Sequence, residues 1–169
     1  AYSAIANGGV RITPVYYTQV TDREGNVILD NTTPEKTTVF KKDTAWLLTS
    51  ALGSVVNDTG GTGGAAKMGS QPVAGKTGTT QFDSDKWFCG FTPYYSAAVW
   101  YGYDKSETVS GWSLSPAGQI WSGVMKPAHA NLEKRTFAHT KPSGVVTAKV
   151  CRDSGLLVTE NCANDPRGD

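Results

Sequence analysis

The stretch Val73-Ala74-Gly75-Lys76-Thr77-Gly78-Thr79-Thr80 decides how this chain is read. A β-branched and small apolar lead-in, a cation and alternating hydroxyls predict a strand over about 72–79. Side chains alternate on a strand, so Thr77 and Thr79 share one face. Lys76 and Gly78 share the other, unless local twist re-aims the lysine. At a sheet edge such a strand can hold a carboxylate. Gly78 leaves room for a substrate backbone to approach, and the Thr79 N–H can serve an oxyanion hole. Lys-Thr-Gly alone also fits a plain threonine-rich surface strand, so its surroundings must choose.

Two nearby patterns imitate nucleotide sites. Gly69 to Thr77 looks like a phosphate-binding loop, but five residues separate Gly69 from Gly75 where that loop has four. The loop also needs a helix directly after its Lys-Thr. Here Gly78-Thr79-Thr80 runs into a polar loop, Gln81 to Asp85. Gly61-Thr62-Gly63-Gly64-Ala65-Ala66 fits a loose dinucleotide pattern, yet it follows a predicted helix where a strand is required.

Working outward, three consecutive strands are expected: about 72–79, 86–91 and 96–103. The last two are joined by Thr92-Pro93-Tyr94-Tyr95, which makes an antiparallel meander. Upstream, Asp43 can cap a helix from Thr44 to about Val56, with Leu48, Ala51, Leu52 and Val55 as its buried face. Glycines in 57–64 end it. Downstream, Ser115-Pro116 starts a helix whose apolar face is Ile120, Trp121, Val124, Met125 and Ala128, and Pro127 should kink or end it. At the start, Ala1–Ala6 reads as a helix stopped by Asn7-Gly8-Gly9. Residues 10–20 and 27–29 read as a hairpin around the 22–26 turn, and 31–42 as a polar surface loop. After Thr136 a Gly/Pro-punctuated tail holds one further strand, 145–150. The pattern is α+β, with helices packed on an antiparallel sheet, divided into 1–135 and a tail, 136–169.

Composition narrows function. The chain has 169 residues and a net charge of +1, with no basic stripe, so nothing supports nucleic-acid binding. No run has the apolar length of a membrane span. Of three cysteines, Cys89 reads as a small buried hydrophobe. Cys151 and Cys162 flank a turn. A local disulfide is one reading, worth roughly 3 kcal/mol and implying an extracytoplasmic compartment; a pair of thiols is the other. His129 and His139 are not at ligand spacing, and no metal site or cofactor is expected. Trp87, Phe88, Phe91, Trp100 and Tyr101 read as core and sheet-face packing, and Trp46 and Trp121 as helix packing.

Four stretches, in this order, resemble the transpeptidase domain of the penicillin-binding proteins: Ala1-Tyr-Ser-Ala-Ile-Ala-Asn-Gly-Gly9, Val73 to Thr80, Trp87-Phe-Cys-Gly-Phe-Thr-Pro93 and Ala98-Val-Trp-Tyr-Gly-Tyr-Asp104. The last two, and the tail from Cys151 to Cys162, look most like the bifunctional class, in which a glycosyltransferase domain precedes the transpeptidase. The resemblance implies a peptidoglycan D,D-transpeptidase that cross-links stem peptides through an acyl-serine and is acylated by β-lactams. It implies that Lys76 and Thr79 are catalytic, and that Lys76, Thr77, Gly78, Thr79 and Thr80 bind substrate. It also implies placement on the outer face of the cytoplasmic membrane.

That family uses a Ser-x-x-Lys nucleophile and a Ser-x-Asn motif. No serine here is followed three residues later by lysine or two later by asparagine. The expectation is a piece of a nicked enzyme, inactive and unstable alone, packed against the N-terminal remainder that carries the nucleophile and any membrane anchor. A D,D-carboxypeptidase or β-lactamase-type hydrolase is the alternative within the fold. A non-catalytic cell-wall binding module is the alternative outside it.

Overall fold

A computed structural model describes residues 1–137, 141–151, 154–160 and 162. Its centre is a three-stranded antiparallel sheet of β5 (Ala74–Thr79), β6 (Asp85–Phe91) and β7 (Ser96–Gly102), in that order. The register sets Lys76 opposite Cys89, Thr77 opposite Phe88, Gly78 opposite Trp87 and Thr79 opposite Lys86. Phe88 in turn faces Val99, and Trp87 faces Trp100. The meander is the one expected from sequence, with bounds shifted by a residue or two.

The face carrying Thr77, Phe88 and Val99 is closed by helix α3 (Pro116–Ala128). Pro116 opens this helix, and the Ser115 hydroxyl caps it by accepting from Gly118 N–H at 3.2 Å. Trp121 is fully buried, stacks edge-on against Phe88 at 5.3 Å and donates its indole N–H to Ala97 O. Val56, Ala66, Val73, Ala117 and Met125 complete this core. The expected face of α3 is only partly the buried one: Trp121 and Met125 are inside, whereas Ile120, Val124 and Ala128 are exposed. The small residues Ala117, Gly118 and Ser122 are buried instead, because the helix lies close against the loop before β5. Adding a Cβ to Gly118 would bring it to 3.2 Å from Ala65 Cβ. Pro127 sits in the last turn, and the helix ends at the next residue.

Helix α2 (Lys42–Asn57) starts two residues before the expected bound. Lys41 is its N-cap, without a side-chain cap, and Asp43 lies inside the first turn. Its buried stripe is Ala45, Thr49 and Val56 rather than the leucine face, and Ala51 is exposed. The short helix α1 (Tyr2–Ala6) packs on the other face of the sheet and stops at Asn7 and Gly8 as read. Gly9 has φ +93°, and a Cβ there would fall 2.2 Å from Phe40 O.

The hairpin reading needs correction. Strand β2 (Gln19–Thr21) does pair with β3 (Val27–Asp30) across the 22–26 turn. Strand β1 (Val10–Ile12) instead pairs with β4 (Lys36–Thr38), in the segment expected to be loop. In the tail no strand spans 145–150; Val150 and Leu157 form a single antiparallel bridge. Cys162 is a thiol with its Sγ 3.8 Å from Thr159 Oγ1, so the Cys151–Cys162 bridge is not formed in this structure. Cys89 is half-buried rather than buried, and His139 lies outside the described residues.

Candidate functional site

Strand β5 is an edge strand. One side pairs fully with β6, and no second strand among the described residues pairs with its other side. The strand is held tightly from below. A Cβ on Gly75 would stand 2.6 Å from Phe88 Cζ, and one on Gly78 would stand 3.1 Å from Trp87 Cβ. Gly75 is therefore needed by the sheet itself, and Gly78 is a tight fit there, whatever clearance it also gives a ligand.

Thr77 and Thr79 lie on one wall of a cleft of about 480 Å³, together with Thr62, Asp83 and Lys86. Residues 108–116 form the opposite wall. That wall is fixed at three points. Val109 N–H donates to Asp83 O at 3.0 Å, Trp112 stacks edge-on against Tyr101 at 5.6 Å, and Ser115 caps α3. Threonine and serine hydroxyls dominate the lining, and Lys86 is ion-paired to Asp83 at the rim.

Lys76 follows the two-residue alternation and does not line this cleft. It is exposed on the opposite face, and its Nζ turns back to donate to Thr77 O at 3.0 Å. That face also carries Cys89, Trp87 and Trp100, and α1 packs against β6 there. Trp87 and Trp100, 41% and 42% exposed, are paired across β6 and β7 as sheet-face residues, whereas Phe88 and Phe91 are core. Burial of Tyr2 on α1 raises its phenol above the ordinary value, with Cys89 contributing.

Thr80 closes the β5–β6 turn rather than lining the cleft. Its hydroxyl donates to Asp85 Oδ2 at 2.8 Å and accepts from Asp85 N–H at 3.0 Å. The indole N–H of Trp100 donates to Asp85 Oδ1 at 2.8 Å. These two donors, the indole first, hold the Asp85 carboxyl below its ordinary value. The tip of the turn is strained: Phe82 and Asp83 have φ of 59° and 57°, a conformation that side chains rarely take.

Sequence reasoning brought Thr77 and Thr79 together correctly and missed Thr62. The Thr62 hydroxyl lies 2.7 Å from the Thr77 hydroxyl. Its tripeptide Gly61-Thr62-Gly63 was visible, but only as a rejected nucleotide pattern. The 108–116 wall was also missed, because it is irregular chain with no periodic signal. Among the described residues no group of three or more His, Cys, Asp or Glu is placed to hold a metal.

Residues 1–126 match the family model described as the penicillin binding protein transpeptidase domain. The chain belongs to that family. Residues 141–168 match the family model described as the penicillin-binding protein 1A C-terminal domain. The chain is 42% identical over 168 residues to penicillin-binding protein 1A of Clostridium perfringens, covering 99% of this chain and 20% of that protein. It is 43% identical over 168 residues to the protein of the same name from Clostridium botulinum, again over 99% of this chain and 20% of the relative. The chain thus spans about a fifth of the length of these curated relatives. The fold is similar to that of the penicillin-binding protein PonA1 from Mycobacterium tuberculosis, with a TM-score of 0.70 and 26% identity, over 88% of this chain and 43% of that one. The α+β reading and the resemblance to the bifunctional class agree with these findings.

Proposed function

We propose that this chain supplies one wall of the active site of a peptidoglycan D,D-transpeptidase, which cross-links stem peptides through an acyl-serine and is acylated by β-lactams. The observation that carries the reading is the open-edged β5, with the Thr77 and Thr79 hydroxyls turned into a hydroxyl-lined cleft.

In this reading Thr77 and Thr79 bind the terminal carboxylate of the donor peptide or its β-lactam counterpart. The Thr79 N–H shares an oxyanion hole with the N–H of the nucleophilic serine, a donor typically worth about 3–4 kcal/mol in the transition state. Lys76, on the other face, contributes positive charge toward the serine and lysine that relay protons. Thr80 acts indirectly, by closing the turn that sets the end of β5. The nucleophile and its base come from the N-terminal remainder of the protein, since no Ser-x-x-Lys or Ser-x-Asn occurs here. No metal or organic cofactor is called for. No helix among the described residues is long and apolar enough to cross a membrane, so the proposed position on the outer membrane face depends on an anchor elsewhere in the protein. The division at residue 135 belongs to the same proposal.

The test is acylation of the full-length protein by a fluorescent penicillin. Lys76→Ala should slow labelling by about a hundredfold or more, and peptide mapping should find the drug on a serine outside residues 1–169. Wild-type labelling by Lys76→Ala would remove the strand from the active site. Reversible peptide or glycan binding without any adduct would make the protein a cell-wall binding module.

A further inference from the structure

Gly61-Thr62-Gly63 is the motif that the functional reading leaves unused, and its geometry is tightly specified. Gly61 lies against the last turn of α2: a Cβ there would fall 2.4 Å from Val55 O and 2.8 Å from Ser54 O. Gly63 is buried. A Cβ on it would fall 3.1 Å from both Val55 O and Val56 Cγ2, and 3.3 Å from the Phe88 ring. Gly63 N–H donates to Val55 O at 2.9 Å, and Gly63 O accepts from Ala66 N–H at 2.9 Å. Ala66 itself is fully buried in the core beneath the sheet.

Gly61, which has no room for a side chain, and the buried Gly63, which has little, thus clamp the tripeptide between the end of α2 and the phenyl ring under β5. Between them, Thr62 is the one side chain that the tripeptide projects, and it lies at the cleft rather than in the core. Its hydroxyl is 2.7 Å from that of Thr77, in line with an O–H···O hydrogen bond.

We propose that Thr62 is a positioning residue for Thr77: it donates its proton to Thr77 Oγ1 and so leaves the Thr77 O–H to point into the cleft, toward an anionic group of the ligand. A hydroxyl has one proton and two lone pairs. If Thr77 gave its proton to Thr62, its oxygen would face a carboxylate with lone pairs only, which repels. An anion in the cleft therefore selects the arrangement in which Thr62 donates. A donor into Thr77 also polarises its O–H and strengthens the bond that it makes in turn. The clamp of Gly61 and Gly63 makes the arrangement pre-set, so Thr77 loses little rotamer freedom when the ligand arrives. The inference rests on the proposed role of Thr77 and extends it to a residue 15 positions upstream.

The test uses the full-length protein and a fluorescent penicillin, with the apparent binding constant and the limiting acylation rate measured separately for Thr62→Val, Thr62→Ser, Thr77→Val and the Thr62→Val/Thr77→Val double variant. Thr62 lies at the cleft surface, so valine there should leave the melting temperature unchanged. The expected result is a roughly five- to tenfold weaker encounter for Thr62→Val, a near-normal Thr62→Ser, and a double variant no worse than Thr77→Val alone. Wild-type behaviour of Thr62→Val beside a slow Thr77→Val overturns this inference and leaves the reading of β5 standing. So do losses that add in the double variant. Wild-type behaviour of Thr77→Val overturns the reading of β5, and this inference with it.

Discussion

Thr92 shows how much one hydroxyl can organise. It is 1% exposed, accepts from the Tyr94 and Tyr95 N–H groups at 3.1 Å each, and lies 2.9 Å from His129 Nε2. His129 Nδ1 is 2.7 Å from Met125 O, which can only accept. Nδ1 therefore donates to Met125 O, Nε2 accepts from Thr92, and every polar atom in the cluster has a partner. Thr92→Val keeps the shape and strands two N–H groups and a ring nitrogen. It should cost about 2–3 kcal/mol of stability in denaturant unfolding of the full-length protein, with Thr92→Ser restoring most of it. A loss below the scatter of such measurements would mean that water replaces the hydroxyl. Sequence could give His129 no role, because its partner is 37 residues away and is reached only through packing of α3 on the sheet. Asp85 makes a second prediction at this scale. Its folded-state value is lowered, so its contribution is complete above the ordinary carboxylate range and is lost as pH falls through the lower folded value. The β5–β6 turn should loosen only below about pH 4, seen as a change in tryptophan emission that Asp85→Asn abolishes. An identical acid response in Asp85→Asn would assign the change to other groups.

At the scale of elements, what was legible was whatever carried a strong local signal. The three strands of the meander alternate clearly and end in turn residues. Pro116 after Ser115 marks the start of α3 without ambiguity. The β1–β4 pair was invisible because Lys36-Thr37-Thr38 is polar and exposed on both faces, and a two-residue repeat is only readable when one face is buried. The stripe of α2 was misread for a related reason: periodicity identifies an amphipathic helix, but Ala45 and Thr49 face the protein because close approach favours small side chains, and leucines flank them. Glycines divide by the same logic. A methyl group added at Gly53, in the interior of α2, would meet nothing within 4 Å, so Gly53→Ala should stabilise by about 0.5–1 kcal/mol. In β6, a Cβ on Gly90 would fall 2.5 Å from Phe88 Cε1. Gly90→Ala must push the Phe88 ring toward Trp121 and should cost about 1–3 kcal/mol. Urea denaturation of the two variants should therefore shift in opposite directions, and equal shifts would break the packing account of the sheet.

At the scale of the whole molecule, several features of the described residues leave backbone edges and apolar groups open to solvent. β5 and β7 both have an outer edge without a partner strand among the described residues. Trp87 and Trp100 stand side by side on the sheet face that also carries Lys76, each about two-fifths exposed. On the β2–β3 hairpin, Val27, Ile28 and Leu29 are 52%, 61% and 47% exposed. The face under α3 is the closed one, with Phe88 and Trp121 fully buried, whereas the other face is buried at Ala74 and Phe91 but open at Trp87 and Trp100. Open edges and apolar faces recruit partners, by strand addition or by hydrophobic contact. The 169-residue chain expressed alone should therefore associate as concentration rises and bind a hydrophobic dye, as measured by light scattering after size exclusion. The same surfaces within the full-length protein should be silent in both assays. A monodisperse, dye-negative chain with a cooperative melt would show that the core under α3 holds the sheet by itself. Thr77 and Thr79 would then keep their positions without help from the rest of the protein, and the cleft could be studied in isolation.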